Sequence, residues 1–254
     1  MDCVPVQEEL LMHRFFADPL RSTESEVCLT AEDARHAVTV LRLKPGQRIE
    51  IIRDALLWEA EITSAVLPDV RAVILSELPS AEPSLAVTLY QGIPKSDKMD
   101  LIVQKATELG VSRIVPVIMS RCVAKPDRKD ISHKLDRWQK IIREAAKQSG
   151  RCVIPVISEP VSLRQLGEQQ LPECCTVPWE EASGFGPRAF SLSHPSIRSL
   201  GILIGPEGGI ENDEITFLRS LGFIPVTLGK RILRTETAGM AAVSAFMSLY
   251  GEMD

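Results

Sequence analysis

The sequence predicts an α/β protein in two parts, a small β-rich N-terminal region and a larger region built on a mostly parallel sheet. Three observations predict it. Over the first ~80 residues short apolar runs recur between turn signals, the pattern of a small β domain. The segment PSAEPS, residues 79–84, is rich in Pro and Ser and reads as a linker. Beyond it, apolar strand-like runs alternate with helix-like periods, and such alternation builds a parallel sheet covered by helices.

In the first part the strand runs are VCL at 27, QRIEII at 47, WEAEIT at 58 and DVRAVIL at 69, separated by LKPGQ and LPD. One helix, AEDARHAVTVLR, interrupts them, with Thr30 as N-cap and Asp33 completing a capping pattern. The second part opens with the strand LAVTLYQGI. A helix over SDKMDLIVQKATELG follows, with Ile102, Val103, Ala106 and Leu109 on one face and Gly110 as its stop. Then come the strand SRIVPVIM and a helix over SHKLDRWQKIIREAAKQSG whose core stripe is Leu135, Trp138, Ile141, Ile142 and Ala145. The spacing next gives a strand CVIPVI, a short helix VSLRQLGEQQ, strands ECCTVPW and GILIG, a helix NDEITFLRSLG, a strand FIPVTLG and a C-terminal helix from about Glu236.

Composition narrows the class. At 254 residues and 44% hydrophobic content the chain can bury a sizeable core, and no apolar stretch approaches the ~18 residues a membrane helix needs. The N-terminal MDCVPVQEEL lacks the basic start and apolar run of a signal peptide, so a cytoplasmic location is expected. Cys3, Cys28, Cys122, Cys152, Cys174 and Cys175 show no CxxC spacing, and the four histidines are scattered; no metal site is expected. Net charge is -5, yet between Arg121 and Arg151 ten Lys/Arg stand against four acids. That segment is either a solvated helix face or a surface for a phosphate backbone.

Two glycine turns carry the functional reading. In GPEGG, residues 205–209, an apolar run ends where the backbone must approach something closely. No Lys-Ser/Thr follows as in a phosphate loop, and Pro206-Glu207 breaks a dinucleotide fingerprint. Glu207 also sets a carboxylate where a phosphate would repel it. The turn is either a tight corner after a core strand or a seat for a ligand that is not polyanionic. In VTLGKRILRTETAGMAA, residues 226–242, a second strand ends in Gly, runs basic and starts a helix. Two such ends converge at the C-terminal edge of a parallel sheet, where α/β ligands bind.

GPEGG followed by LGxxILRxETA resembles the SPOUT superfamily of RNA methyltransferases. HRFF, HAVTVLRLKPGQ, KSDKMDLIVQKATELGVSRIVPV, SRCV, RWQKIIREAAKQSGR and PWEE narrow the resemblance to the RsmE-type 16S rRNA uracil-N3 methyltransferases, in order over nearly the whole chain. The departures are DALLWEA at 54–60, where the family has an Asp-Gly turn, and the stretch 182–199. The resemblance implies a PUA-like RNA-binding barrel over 12–79 and a trefoil-knotted SPOUT methyltransferase domain over 84–254. It implies S-adenosylmethionine (SAM) as methyl donor, a homodimer, and 16S rRNA within the small ribosomal subunit as substrate. The cofactor would be held by Leu203, Gly205, Glu207, Gly208, Gly209, Leu228, Gly229, Ile232 and Leu233.

The chemistry asks that uracil N3 lose its proton and that charge developing on the ring be offset. Arg234 is the expected cation. Glu180 is the expected proton acceptor, provided that burial tunes it, and Glu236 is the alternative. Glu236 is equally well read as an acid complementing a helix dipole. Arg14, Arg42, Lys95, Lys98, Arg121 and Arg151 are the expected RNA contacts, each alone also readable as a solvated charge. Trp138 reads as core, and Lys105 and Glu108 as a pair across one turn. Ribose methylation by the same fold, and RNA binding without transfer, are the rival functions.

Overall fold

The structure of the protein, a computed structural model, describes residues 12–122 and 128–253, without the side chains of 128–130. Cys3, the N-terminal acidic segment, Lys125, Asp127 and the side chains of Arg128, Lys129 and Asp130 lie outside the described residues. The chain divides into two compact units, one ending at Ala81 and one beginning at Glu82.

The first unit holds five strands: β1 (Arg14–Phe16), β2 (Glu26–Cys28), β3 (Arg48–Arg53), β4 (Leu56–Val66) and β5 (Asp69–Leu78). Their order is β1-β3-β4-β5-β2, antiparallel except for β1 beside β3. An Ala17–Leu29 bridge joins the two ends of that order, so the sheet closes on itself and leaves no open edge there. Alternate residues fill the interior, among them Phe15, Val27, Ile49, Ile51, Ile62 and Val70. β3 and β4 are joined by Asp54 and Ala55, both left-handed (φ 53° and 63°). That is the two-residue hairpin turn in which a glycine would be unstrained at the second place.

Helix α1 is short, Ala31–Arg35, and widens into a π turn over His36–Val40. Thr30 caps it by accepting the Asp33 N–H at 3.3 Å. Asp33 does not return the cap as its spacing suggests. Its carboxylate is buried and accepts the Phe16 N–H at 2.8 Å, tying the helix to β1.

The second unit is one seven-stranded sheet, β6 (Ala86–Gly92), β7 (Arg113–Ile118), β8 (Val156–Ile157), β9 (Val161–Ser162), β10 (Cys174–Pro178), β11 (Ser199–Ile204) and β12 (Phe223–Val226). The order is β12-β10-β11-β6-β7-β8, with β9 also on β7, and every pairing is parallel. Helices cover both faces. On one lie α2 (Lys98–Glu108), α3 (Arg128–Gln148), α4 (Pro187–Ser193) and α6 (Thr235–Leu249), packed on Val87, Leu89, Leu200, Ile202 and Ile204. On the other lie α5 (Asn212–Ser220) and the 3₁₀ turn Leu163–Glu168, packed on Tyr90, Val115, Val117, Val177 and Leu203. A strand buried on both faces must be apolar throughout, which is why β11 reads SLGILI without alternation.

Trp138 is buried in the core, and Lys105 meets Glu108 at 2.8 Å. The expected strand CVIPVI shrinks to Val156–Ile157, because Glu82 instead takes the Cys152 and Val153 N–H groups, at 2.7 and 2.9 Å. Strand β1 and helix α4 were not expected. The unit's beginning and end are pinned together, since the Glu252 carboxylate accepts the N–H of Ser84 (3.0 Å), that of Leu85 (2.9 Å) and the Ser84 hydroxyl.

Candidate active site

Three neighbouring strands, β12, β10 and β11, end at the same edge of the sheet. The chain leaving each of them lines a cavity of about 500 Å³. From β10 come Pro178, Trp179 and Glu180; from β11, residues 205–210; from β12, residues 227–234, which run into α6. Gly229 turns this last loop at φ +102°, a conformation closed to most side chains. Leu228 packs back on the core, while Ile232 is 85% exposed at the wall of the cavity. Of the expected cofactor residues, Gly205, Glu207, Gly208, Gly209, Leu228, Gly229, Ile232 and Leu233 all line it. Leu203 does not. Its side chain is fully buried on the α5 face of the sheet, and the next residue, Ile204, faces the cavity instead.

Gly208 also has a close neighbour within the chain. A Cβ there would stand 2.8 Å from the Cβ of Arg121. Arg121 lies along the turn, donating to the Gly208 carbonyl at 2.8 Å and pairing with Glu211 at 3.4 Å. The missing side chain thus makes room for an arginine of the same unit.

A buried polar chain crosses beneath the cavity. Gln91, at the end of β6, donates to the Thr235 hydroxyl at 2.9 Å, and Thr235 donates to the Gly205 carbonyl at 2.7 Å. Both side chains are at most 5% exposed, so this chain fixes the first turn of α6 against the glycine turn. Gln91 was missed from sequence; the available signal was an amide closing an otherwise apolar strand run.

The rim is charged. Lys98 stands 3.1 Å from Glu207 and 3.1 Å from Glu236. Glu207 also accepts the Lys95 N–H, at 3.1 and 3.2 Å to its two oxygens. Burial pushes the Glu207 carboxyl up, but its own backbone N–H, Lys98 and the Lys95 N–H outweigh that and hold it below the usual range. Glu236 is held low first by its own backbone N–H, against burial, and then by Lys98 and Arg234. Lys98 is raised by its hydrogen bonds to Glu236 and Glu207. Arg234 is the N-cap residue of α6, exposed at the cavity wall. Glu180 is exposed rather than buried and carries no ion pair among the described residues. Arg219 of α5 stacks over Trp179, 5.6 Å from its ring centre.

The expected RNA contacts scatter. Arg14 pairs with Glu50 at 2.6 Å, and Arg42 is exposed at a left-handed corner, φ 55°. Lys95 is exposed and Arg121 half-exposed beside the cavity. Lys98 is engaged by two carboxylates. Arg151 is 4% exposed, bonded to Glu82 at 2.8 Å and to the carbonyls of Thr107 (3.2 Å) and Val111 (2.6 Å). It is a core tie, because reaching a phosphate would require breaking every one of these bonds. Among the described residues no group of three or more His, Cys, Asp or Glu could hold a metal ion, and no helix is long and apolar enough to cross a membrane.

Comparison with known proteins agrees with this layout. The model of an RNA methyltransferase domain matches residues 81–247, and that of an RNA methyltransferase PUA domain matches 29–67. The fold and the strand-edge cavity are thus those of a two-part RNA methyltransferase. The ribosomal RNA small subunit methyltransferase E of Bacillus subtilis is 35% identical over 92% of this chain and 95% of its own length. A crystal structure of the Neisseria gonorrhoeae protein of that name, bound to S-adenosyl methionine, superposes with TM-score 0.81 at 33% identity, covering 96% of this chain and 100% of that one. A Legionella pneumophila structure in complex with SAM superposes at 0.79 with 30% identity, covering 93% and 97%. The chain belongs to the ribosomal RNA small subunit methyltransferase E family.

Proposed function

We propose that this chain transfers a methyl group from SAM to N3 of a specific uridine in 16S, small-subunit rRNA. The observation that carries the reading is the cavity at the strand ends. Its volume suits a nucleoside-sized ligand, its walls combine the main chain of two glycine turns with the apolar Ile204, Leu228, Ile232 and Leu233, and the carboxylates of Glu180 and Glu207 beside the cations of Lys98, Lys230, Arg231 and Arg234 suit a ligand that carries charges of both signs. SAM meets that description, and when bound it supplies an electrophilic methyl carbon.

The residues of the chain do the rest. The main chain of residues 205–209 and 228–233 holds the cofactor, with Leu228, Ile232 and Leu233 packed against its base. Arg234 offsets the negative charge that grows on the uracil ring as N3 loses its proton. Glu180 takes that proton without the burial expected of it, as the carboxylate with no ion pair among the described residues; Glu236, fastened to Lys98, is the poorer acceptor. The fixed cavity aligns N3 with the methyl carbon. Arg14, Arg42, Lys95 and Arg121 steer rRNA, with residues 12–79 as the RNA-binding domain and 84–254 as a trefoil-knotted catalytic domain. The enzyme works in the cytoplasm as a homodimer on the small ribosomal subunit.

The test is transfer from labelled SAM to small subunits from a strain lacking this enzyme, with the product nucleoside identified by mass spectrometry. N3-methyluridine is expected. A ribose-methylated nucleoside would overturn the chemistry, and no transfer despite SAM binding would leave an RNA-binding module. Arg234→Ala is expected to lower kcat by roughly 10²–10³-fold with SAM affinity nearly unchanged.

A further inference from the structure

We propose that Lys98 is a positioning residue for the cofactor cavity, fastening the glycine turn after β11 to the first turn of α6, and is not a contact for RNA phosphate. The inference rests on the SAM reading of that cavity. Three segments far apart in sequence meet at this ammonium. Lys98 opens α2, Glu207 sits in the turn after β11, and Glu236 lies in the first turn of α6. Each carboxylate is 3.1 Å from Nζ, so the two stand within about 6 Å of each other and would repel without the cation between them. Glu207 is fixed from a second side by the Lys95 N–H. The side chains of Lys98, Glu207 and Glu236 are 32%, 25% and 15% exposed, so the ammonium is half-screened from solvent by the groups it binds. A phosphate approaching it would face both carboxylates. Glu207 and Lys98 both line the cavity, so the spacing they set is a dimension of the cavity itself.

The neighbouring charges do not replace this tie. Arg234 acts on Glu236 from the turn before α6. Arg137 of α3 is taken up by Asp97 and Asp100, and Cys122, beside Glu207, is kept a neutral thiol first by burial. With Lys98 in place both carboxylates lie below the usual range and stay ionised at neutral pH. Without it their pKa values rise, and a proton taken up as pH falls relieves the repulsion. The defect of a Lys98 variant is therefore largest at high pH and shrinks toward acid, whereas the wild type lacks this dependence.

The test is calorimetric SAM affinity of wild type, Lys98→Met and Lys98→Arg from pH 5.5 to 7.5, with rRNA affinity measured against salt. Lys98→Met is expected to bind SAM roughly two- to tenfold more weakly at pH 7.5, the range two half-exposed ion pairs supply. The ratio to wild type should narrow as pH falls, Lys98→Arg should keep most of the affinity, and rRNA binding should be unchanged. Equal SAM affinity in Lys98→Met and wild type would overturn the proposal alone. So would a loss confined to rRNA affinity with a salt slope shallower by about one. Failure of the wild type to bind SAM would overturn the functional reading, and this proposal with it.

Discussion

Replacing Arg151 with Met keeps the apolar stem and removes the guanidinium. The side chain is 5% exposed, and its partner Glu82 is 17% exposed. The guanidinium donates from Nε and Nη2 to Glu82 at 2.8–3.3 Å and from Nη1 to two carbonyls. Removing one member of a buried pair leaves its charge poorly compensated and costs about 3–5 kcal/mol. In a unit of this size each kcal/mol moves the melting temperature by about 2–4 °C, so Arg151→Met should melt some 6–20 °C lower. The assay is thermal unfolding followed by circular dichroism, paired with rRNA binding at a temperature where both proteins are folded. A melting temperature within 2 °C of wild type, with rRNA affinity reduced, would refute the core-tie reasoning and restore Arg151 to the RNA surface.

Ala55→Gly should stabilise the first unit by about 0.5–1 kcal/mol, because it relieves a left-handed residue in a two-residue hairpin; denaturant midpoints check it. Thr235→Val should weaken SAM binding about tenfold by leaving both the Gln91 amide and the Gly205 carbonyl short of a buried partner, and Thr235→Ser should not. Equal affinities for all three would mean that the polar chain does not shape the cavity. Glu252 is pushed up by burial, but the Ser84 hydroxyl and the two N–H groups outweigh it and hold the carboxyl below its usual value. A depressed folded pKa gives stability that is present above about pH 4.5 and lost as pH falls through the folded value. Glu252→Gln should therefore lower stability at neutral pH and flatten its acid decline, read from melting temperatures between pH 3 and 7.

Much of the fold was legible because its physics is local. Apolar runs cut by glycine turns mark the strands of the second unit, and the 3.6 period of α2 and α3 names their buried faces correctly. Strand β1 escaped because three residues carry no period, and its parallel partner β3 lies more than thirty residues away. Helix α4 escaped inside the stretch that departs from the family, although Pro187 is the first-turn signal that could have marked it. At the site, the two strand-end turns stood out because glycines after apolar runs are visible one residue at a time. What joins those turns was not visible. Lys98 looked like a free cation because Glu207 and Glu236 are over a hundred residues away. Arg151 looked the same because a count of charges does not register burial. Leu203 and Ile204 are adjacent and both apolar, so only the pleat of β11 decides which one meets the cavity.

The hydrogen bonds from Glu252 to Ser84 and Leu85 bear on how this chain could be rewired. The larger unit begins and finishes at one spot, so a bridge of a few residues could seal it into a ring. New ends could then be opened at an exposed corner remote from the cavity, such as the turn between α5 and β12. If such a permuted protein folds and binds SAM, the order in which these strands leave the ribosome does not dictate their final arrangement.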